Sequence, residues 1–538
     1  MTKISITKSK YPQIFGGMGF HNSEALIYPI TEKEHFNQVI CKCYREMSPG
    51  FMRTFGGYDD WSKESMDAFY EYYTKMQKVT DTPIYLAAGR GKLHFSEEEM
   101  EAYCEKVADN LVYLKHEKGM KHLRYYCFSN EMSQVAWGAL MQDLPLFKRY
   151  HEMLYRAFQN RGLDIGLLAT DASEYKNWET VDWAIANMNR ITEDYCVHIY
   201  EREHKPDDLT FYDFFYNKCN EIVKKTIKND GKRVILGEVG IQKSLFQLLM
   251  GDGAVADVCQ YFENSDECAS VGPMLAEMVF SAINAGIFAI AYWTFADLPD
   301  PYSCAYSEKE GYAKAWGKCE KYIAGGTTDV RYNKWGLLRW EENGDYSARE
   351  IYWCLAPMVK LFKRNAKVLK IDTGDDLLRA CGLDNRDGSV SIGIVNRHTE
   401  PCEIKLDSTL FNKNVRVYEY DPNNVPKNNF ADLQDFSIID KSNPIFTLKP
   451  MSVTFFTTDY EEKAKRIFAK GVKKKRNTLV WKETKDENHC YYRVYADKSR
   501  NFTPSQDNQI ASTIATSLPI SDKSLHYKVL SVDCWGNV

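Results

Sequence analysis

No C-x-x-C pair occurs among the fifteen cysteines, and the single C-x-C, Cys41 and Cys43, lies on a helical segment without zinc-site spacing. Several cysteines, Cys127 and Cys196 among them, sit in apolar strand-like runs. Free buried thiols in a reducing compartment are therefore expected, not a disulfide framework. No Gly-rich phosphate loop follows the first strand-like run, which argues against a doubly wound nucleotide-binding sheet. The opening stretch MTKISITKSKYP has no apolar core of a signal peptide. The most apolar stretch, MVFSAINAGIFAIAYWTF, is broken by Asn284 and Gly286 and reads as a helix followed by a buried strand. Charge is nearly balanced, with 69 Lys and Arg against 74 Asp and Glu and a formal net charge of -5. Neither nucleic acid nor a membrane is expected as a partner. A cytoplasmic location is the expectation these absences leave.

What is present is the composition of a globular protein, 44% hydrophobic and 27% charged. Aromatic content is high at 14%, which suits large cores or a surface that stacks on flat ligands such as sugar rings. From residue 14 to about 365 one rhythm repeats: a β-branched or aromatic run, a loop, then an amphipathic helix. Strands are predicted at 14–20, 51–55, 84–88, 123–128, 164–169, 195–199, 233–237 and 287–295. They are continuous apolar runs, as parallel strands covered on both faces require. Thr31 with Glu34, Ser96 with Glu99, and Ser347 with Glu350 have capping-box spacing, and Gly119 and Gly162 suit helix ends. Eight such units predict an α/β fold, a (β/α)8 TIM barrel over residues 1–365.

After residue 365 short strands alternate with Asn, Asp, Gly and Pro, predicting a β-sandwich over 366–460. The basic run EEKAKRIFAKGVKKKRN, 461–477, reads as a solvated linker. Residues 478–538 alternate apolar and polar again and look like a fibronectin type III-like β module.

In a barrel of this kind, functional residues lie at the C-terminal ends of the strands. Strand one ends at His21 and Asn22, strand two carries Arg53, and the loop after strand three brings Arg90 and His94. Strand four ends in Asn130-Glu131, strand six in His198 and Tyr200, strand seven in Glu238, and strand eight in Trp293 and Asp297. Strand five offers Asp171, the weakest of the set. Roughly one or two Asn-Glu pairs are expected by chance in a chain of this length. The second one, Asn220-Glu221, sits inside an ordinary helix. Glu131 and Glu238 stand out because strands four and seven face each other across a closed barrel. A carboxylate at each strand end is costly to bury unless paired or used. A salt bridge from each to a loop Arg or Lys is the alternative reading. A metal-dependent hydrolase would need clustered His and Asp, and only His21, His94 and His198 are at hand, so no metal or cofactor is expected.

This set resembles clan A of the glycoside hydrolases, barrel enzymes with an Asn-Glu pair ending strand four and a Glu ending strand seven. The resemblance implies Glu131 as acid/base and Glu238 as nucleophile. It also implies that Asn130 bonds a sugar 2-hydroxyl, that Arg53 and Tyr200 hold the nucleophile with His198 beside them, and that Trp293 floors the sugar subsite. The barrel-plus-sandwich order is similar to families 39, 30 and 51 of the clan, and NKWGLLRWEENGDYSAREIYW resembles the segment that closes their barrels. A retaining β-glycosidase with a carbohydrate substrate follows as the expectation. Exo action on short β-xylosides or β-glucosides is expected because the loops after strands seven and eight are long. The second of these is rich in aromatic residues from Tyr302 to Trp340. The competing expectations are a non-catalytic glycan-binding protein on the same scaffold and an endo-acting β-glycanase.

Overall fold

Eight parallel strands close on themselves, each carried by one of the apolar runs: Gly17–His21, Phe51–Phe55, Ile84–Ala87, Leu123–Cys127, Gly166–Ser173, Asp194–Arg202, Val234–Gln242 and Ala289–Tyr292. Closure is visible in the register, since Ala289 pairs with Gly17 on one side and Ile235 on the other. In the computed structural model the described residues are all but 23–32, 78–80, 89–95, 133–142, 203–207, 243–268, 297, 301–330, 334–335, 339–347, 408, 427–429, 434–435 and 462–466. Thr31, Ser347, Arg90, His94, Asp297 and the aromatic side chains predicted to wall the mouth lie outside the described residues. Among the described residues no helix is long and apolar enough to cross a membrane.

Local chemistry accounts for the alternation. Ser96 and Glu99 form the predicted capping box at the head of Glu97–Val112. Gly119 and Gly162 adopt the left-handed backbone (φ 77° and 64°) that ends the helical segments before strands four and five. Inside the barrel, Gly19 lets strand two approach: a Cβ there would lie 1.7 Å from the Phe51 carbonyl oxygen. The strand boundaries differ from the predicted ones mainly at strands five to seven, which run on through polar residues to Ser173, Arg202 and Gln242.

The sandwich recruits the N-terminus. Thr2–Lys8, assigned to the barrel in the sequence reading, pairs antiparallel with Ala366–Asp372 and parallel with Cys402–Asp407. Its Ile4 and Ile6 enter the sandwich core with Ile392, Ile404 and Phe456. The strand alternates apolar and polar, the mark of a half-buried strand, not of a barrel strand.

The C-terminal module consists of two three-stranded sheets. Part of the predicted linker belongs to it: Lys473–Lys475 pairs with Thr478–Val480, and Ala469 donates to the Val529 carbonyl. The module is clamped to the barrel by a buried polar network. Lys42, on the helix Cys41–Met47, lies 2.5 Å from Asp432 and 3.0 Å from Glu46. Asp432 also accepts from Arg493, Gln509 and Ser512, and Glu46 accepts from Tyr491 at 2.8 Å. Two cations and two anions are thus desolvated together, one chain region supplying each layer. Asp432→Ala leaves Lys42 and Arg493 buried with half their counter-charge, and a loss on the order of 3–5 kcal/mol is expected. Thermal unfolding should show the midpoint fall, while Asp421→Ala on the sandwich surface leaves it near wild type.

Candidate active site

The barrel mouth is organised around one cation. Arg53 is wholly buried in strand two, and its guanidinium reaches four other strand ends. Nη1 donates to Glu238 Oε1 at 2.5 Å and to His21 Nδ1 at 2.9 Å. Nη2 donates to Asn130 Oδ1 at 2.6 Å and to Asp171 Oδ2 at 3.0 Å. Because His21 Nδ1 accepts, its proton sits on Nε2. Burial and the Arg53 charge hold its pKa well below the ordinary value, so the ring stays neutral. That ring packs on Trp293, centroids 4.3 Å apart, and edge-on to Phe55 at 4.6 Å.

Asp171 and His198 form a second buried pair. His198 Nε2 lies 2.8 Å from Asp171 Oδ1, and Tyr85 donates to the same oxygen at 2.7 Å. Burial alone would raise the Asp171 pKa, but His198 and Arg53 outweigh it and hold the carboxyl well below the usual range. Burial likewise opposes a charge on His198, yet Asp171 and then Glu238 carry its pKa up to about 10. The ring is an imidazolium at neutral pH, with Nδ1 3.4 Å from Glu131 and 3.7 Å from Glu238.

The two glutamates have different company. Glu238 receives Arg53 and the Tyr200 hydroxyl, the latter at 2.5 Å. Gly237 before it makes room for the strand-six side chains, because a Cβ there would meet Cys196 Sγ at 2.5 Å and His198 Nε2 at 2.9 Å. Glu131 sits at the end of strand four with a left-handed backbone, φ 47°. Burial pushes its pKa up and the His198 bond pulls it down, but the Glu238 charge adds to burial and the net direction is up. One oxygen of each carboxylate and a His198 ring nitrogen all lie within 4.8 Å of one another.

This trio has the spacing of a metal site, as do Asp171, Cys196 and His198. The chemistry does not fit a metal. Both ring nitrogens of His198 face carboxylates and carry protons, leaving no lone pair, and Glu238 already holds a guanidinium.

Of the residues singled out in the sequence, Arg53, Asn130, Glu131, His198, Tyr200, Glu238, Trp293 and His21 meet at the mouth. Asn22 turns elsewhere: it accepts from Tyr72 at 2.5 Å and donates to the Met76 sulfur at 2.9 Å, bracing a barrel helix. Asp171, ranked weakest, is central. Tyr85 was missed because it lies within strand three, not at its end; its register opposite Arg53 was the available signal.

No protein-family model matches the sequence, and no curated protein is similar to it. Solved structures do share its architecture. The catalytic domain of GH30 xylanase C from Talaromyces cellulolyticus superposes with a TM-score of 0.56 at 13% identity, covering 85% of this chain and 99% of its own. A family 51 α-L-arabinofuranosidase from Bifidobacterium longum gives 0.54 at 12% identity, with 84% and 99% covered. A glucosidase from Croceicoccus marinus gives 0.55 at 10%, with 85% and 98% covered. The fold is theirs. It is a closed eight-stranded parallel barrel with an appended β-sandwich.

The Asp171–His198 pair should be readable in the pH dependence of stability. Folding raises the His198 pKa from 6.5 to about 10, so its contribution is complete below pH 6.5 and is lost as pH rises through about 10. Folding lowers the Asp171 pKa, so its contribution is complete above 3.8 and fades as pH falls below that value. The gap in melting temperature between wild type and Asp171→Asn is therefore expected to be widest between about pH 4 and 6.5 and to narrow toward pH 10. A gap independent of pH across that range would show that the pair is not ionised as described.

Proposed function

We propose that the chain is a retaining glycoside hydrolase of clan A, with Glu238 as nucleophile and Glu131 as acid/base. The observation that carries this reading is the unequal support of two facing carboxylates. Arg53 and Tyr200 both donate to Glu238, which keeps it an anion aimed into the mouth. Glu131 is partly buried, has no arginine or lysine ion pair among the described residues, and has its pKa pushed up by burial and by the Glu238 charge. One oxygen of Glu131 and one of Glu238 lie within 4.8 Å of each other, in keeping with the separation of about 5–5.5 Å in retaining pairs, which leaves no room for a water on the far side of the sugar.

In the first step Glu238 attacks the anomeric carbon while Glu131 protonates the departing glycosidic oxygen. The products are a glycosyl ester on Glu238 and the released alcohol. In the second step Glu131, now a carboxylate, takes a proton from water as that water attacks the same carbon. The ester breaks, and Glu238 returns to a carboxylate. Asn130, fixed by Arg53, presents its amide NH2 group for a sugar hydroxyl, and Trp293 supplies an aromatic face.

The substrate class we infer is a β-linked pentose or hexose, of the xyloside or glucoside type, cleaved from the end of a short chain. The xylanase and glucosidase among the fold neighbours support the sugar class. The described cysteines are all free, which accords with a reducing, cytoplasmic setting where short oligosaccharides are the available substrates.

A panel of aryl β-glycosides tests the reading. Glu238→Ala should lower kcat/KM by about 10^4-fold or more. Added azide should restore turnover and yield the α-glycosyl azide. Glu131→Ala should retain attack on substrates with good leaving groups and, with azide, yield the β-glycosyl azide. An NMR time course in which the inverted anomer appears first would overturn the mechanism. Binding of glycans by the wild type without any turnover would point to the non-catalytic alternative.

A further inference from the structure

A second cluster of ligand-bearing side chains lies at one edge of the sandwich, where no catalytic role reaches it. Asp375 stands in the turn between Ala366–Asp372 and Leu378–Asp384. His398 follows Val390–Asn396, and Cys402 opens Cys402–Asp407, so the last two form an H-x3-C spacing. One carboxylate oxygen, one ring nitrogen and the thiol sulfur all lie within 4.8 Å of one another, and all three residues are partly exposed. Asp375 Oδ2 and His398 Nε2 are 2.9 Å apart.

We propose that Asp375, His398 and Cys402 form a binding site for a zinc-class divalent metal ion. A thiolate, an imidazole and a carboxylate are the ligand types of zinc, and hard ions such as calcium and magnesium prefer all-oxygen sets. Bonds of 2.0–2.3 Å in a tetrahedron put ligand atoms about 3.3–3.8 Å apart, so the ion enters by parting the Asp375–His398 pair slightly and drawing the sulfur in. The fourth position is left to water from the exposed side.

The ligands are already held by their surroundings, as metal ligands are in built sites. Asp375 uses Oδ1 to accept from the Leu377 backbone N–H at 2.9 Å, leaving Oδ2 toward the ion. The His398 backbone donates to Asn396 Oδ1 at 3.0 Å, and its carbonyl accepts from Met451. The Arg397 N–H bonds the Leu377 carbonyl at 2.9 Å, which ties the two ligand-bearing turns together. Thr2 Oγ1 lies 4.0 Å from Cys402 Sγ, so the ion would also secure the N-terminal strand. Binding replaces the thiol proton: Cys402 releases H+ to solvent as the sulfur–metal bond forms.

The active site offers His198 with both ring nitrogens occupied, which separates the two clusters chemically. Cobalt(II) added alone to chelator-treated full-length protein is the direct probe. One equivalent should produce an intense near-ultraviolet sulfur-to-cobalt band with tetrahedral visible absorption. Zinc should abolish the band and raise the melting temperature. Cys402→Ser and His398→Ala should lose the band and the thermal shift, whereas Cys534→Ser, at an exposed cysteine away from the cluster, keeps both. Melting of each variant in chelator, at the wild-type temperature, shows that it is folded. Absence of the band in wild-type protein, or a band that survives in Cys402→Ser, would overturn the site. Glycosidase activity enters neither outcome.

Discussion

A guanidinium with no access to water holds this molecule's mouth together. Desolvating a cation costs several kcal/mol, and only close anions and hydrogen-bond acceptors offset that cost. Arg53 therefore demands partners, and the barrel supplies them from strands one, four, five and seven as His21, Asn130, Asp171 and Glu238. Its face is covered by the rings of Phe55 and Tyr85, 5.4 and 5.2 Å away. Each partner is thereby fixed in rotamer and in charge. The Asn130 amide, the Glu238 carboxylate and the neutral His21 imidazole are all positioned by the same two terminal nitrogens of one guanidinium, so the site is rigid before any substrate enters.

The barrel was legible because its strands are apolar on both faces and its helices carry caps, signals that lie within a few residues of one another. The strand ends were less legible where chemistry begins. At DIGLLATDAS the apolar run stops at Ala169, and the polar residues after it resemble the start of a loop. The strand continues to Ser173 because Asp171 finds its partners on strands two, three and six. Those residues lie 27 to 118 positions away, and no local pattern records them. Asn22 shows the converse. It stands at a strand end, where function was expected, but Tyr72 and Met76 claim its side chain.

Long-range pairing also hid the modular boundaries. Lys42 reads as one polar residue between two cysteines on an amphipathic helix, and Asp432 as one acid in a polar loop. Only the fold joins them, with Arg493 of the last module, into a buried network with two charges of each sign. The same holds for the N-terminal strand, whose partners lie 361 to 402 residues further on. A chain that reads as units in sequence is thus built with its first strand in the second unit and its last unit bonded to the first helix.

In the mechanism proposed above, charge balance accounts for the division of roles between the two glutamates. With Glu131 protonated, the charges at the mouth among the described residues are Arg53 and His198 as cations against Asp171 and Glu238 as anions, and they balance. Ionising Glu131 at this stage would bury an uncompensated negative charge 4.8 Å or less from Glu238, so the proton stays. In the proposed cycle, forming a glycosyl ester on Glu238 would remove one anion and leave these groups with an excess positive charge. Neutrality is then restored by Glu131 giving up its proton, and the imidazolium of His198 is placed 3.4 Å away to favour that carboxylate. The pair Asp171–His198 therefore does more than brace Arg53. It supplies a fixed cation whose effect is largest in the second half of the cycle, when Glu131 must act as a base.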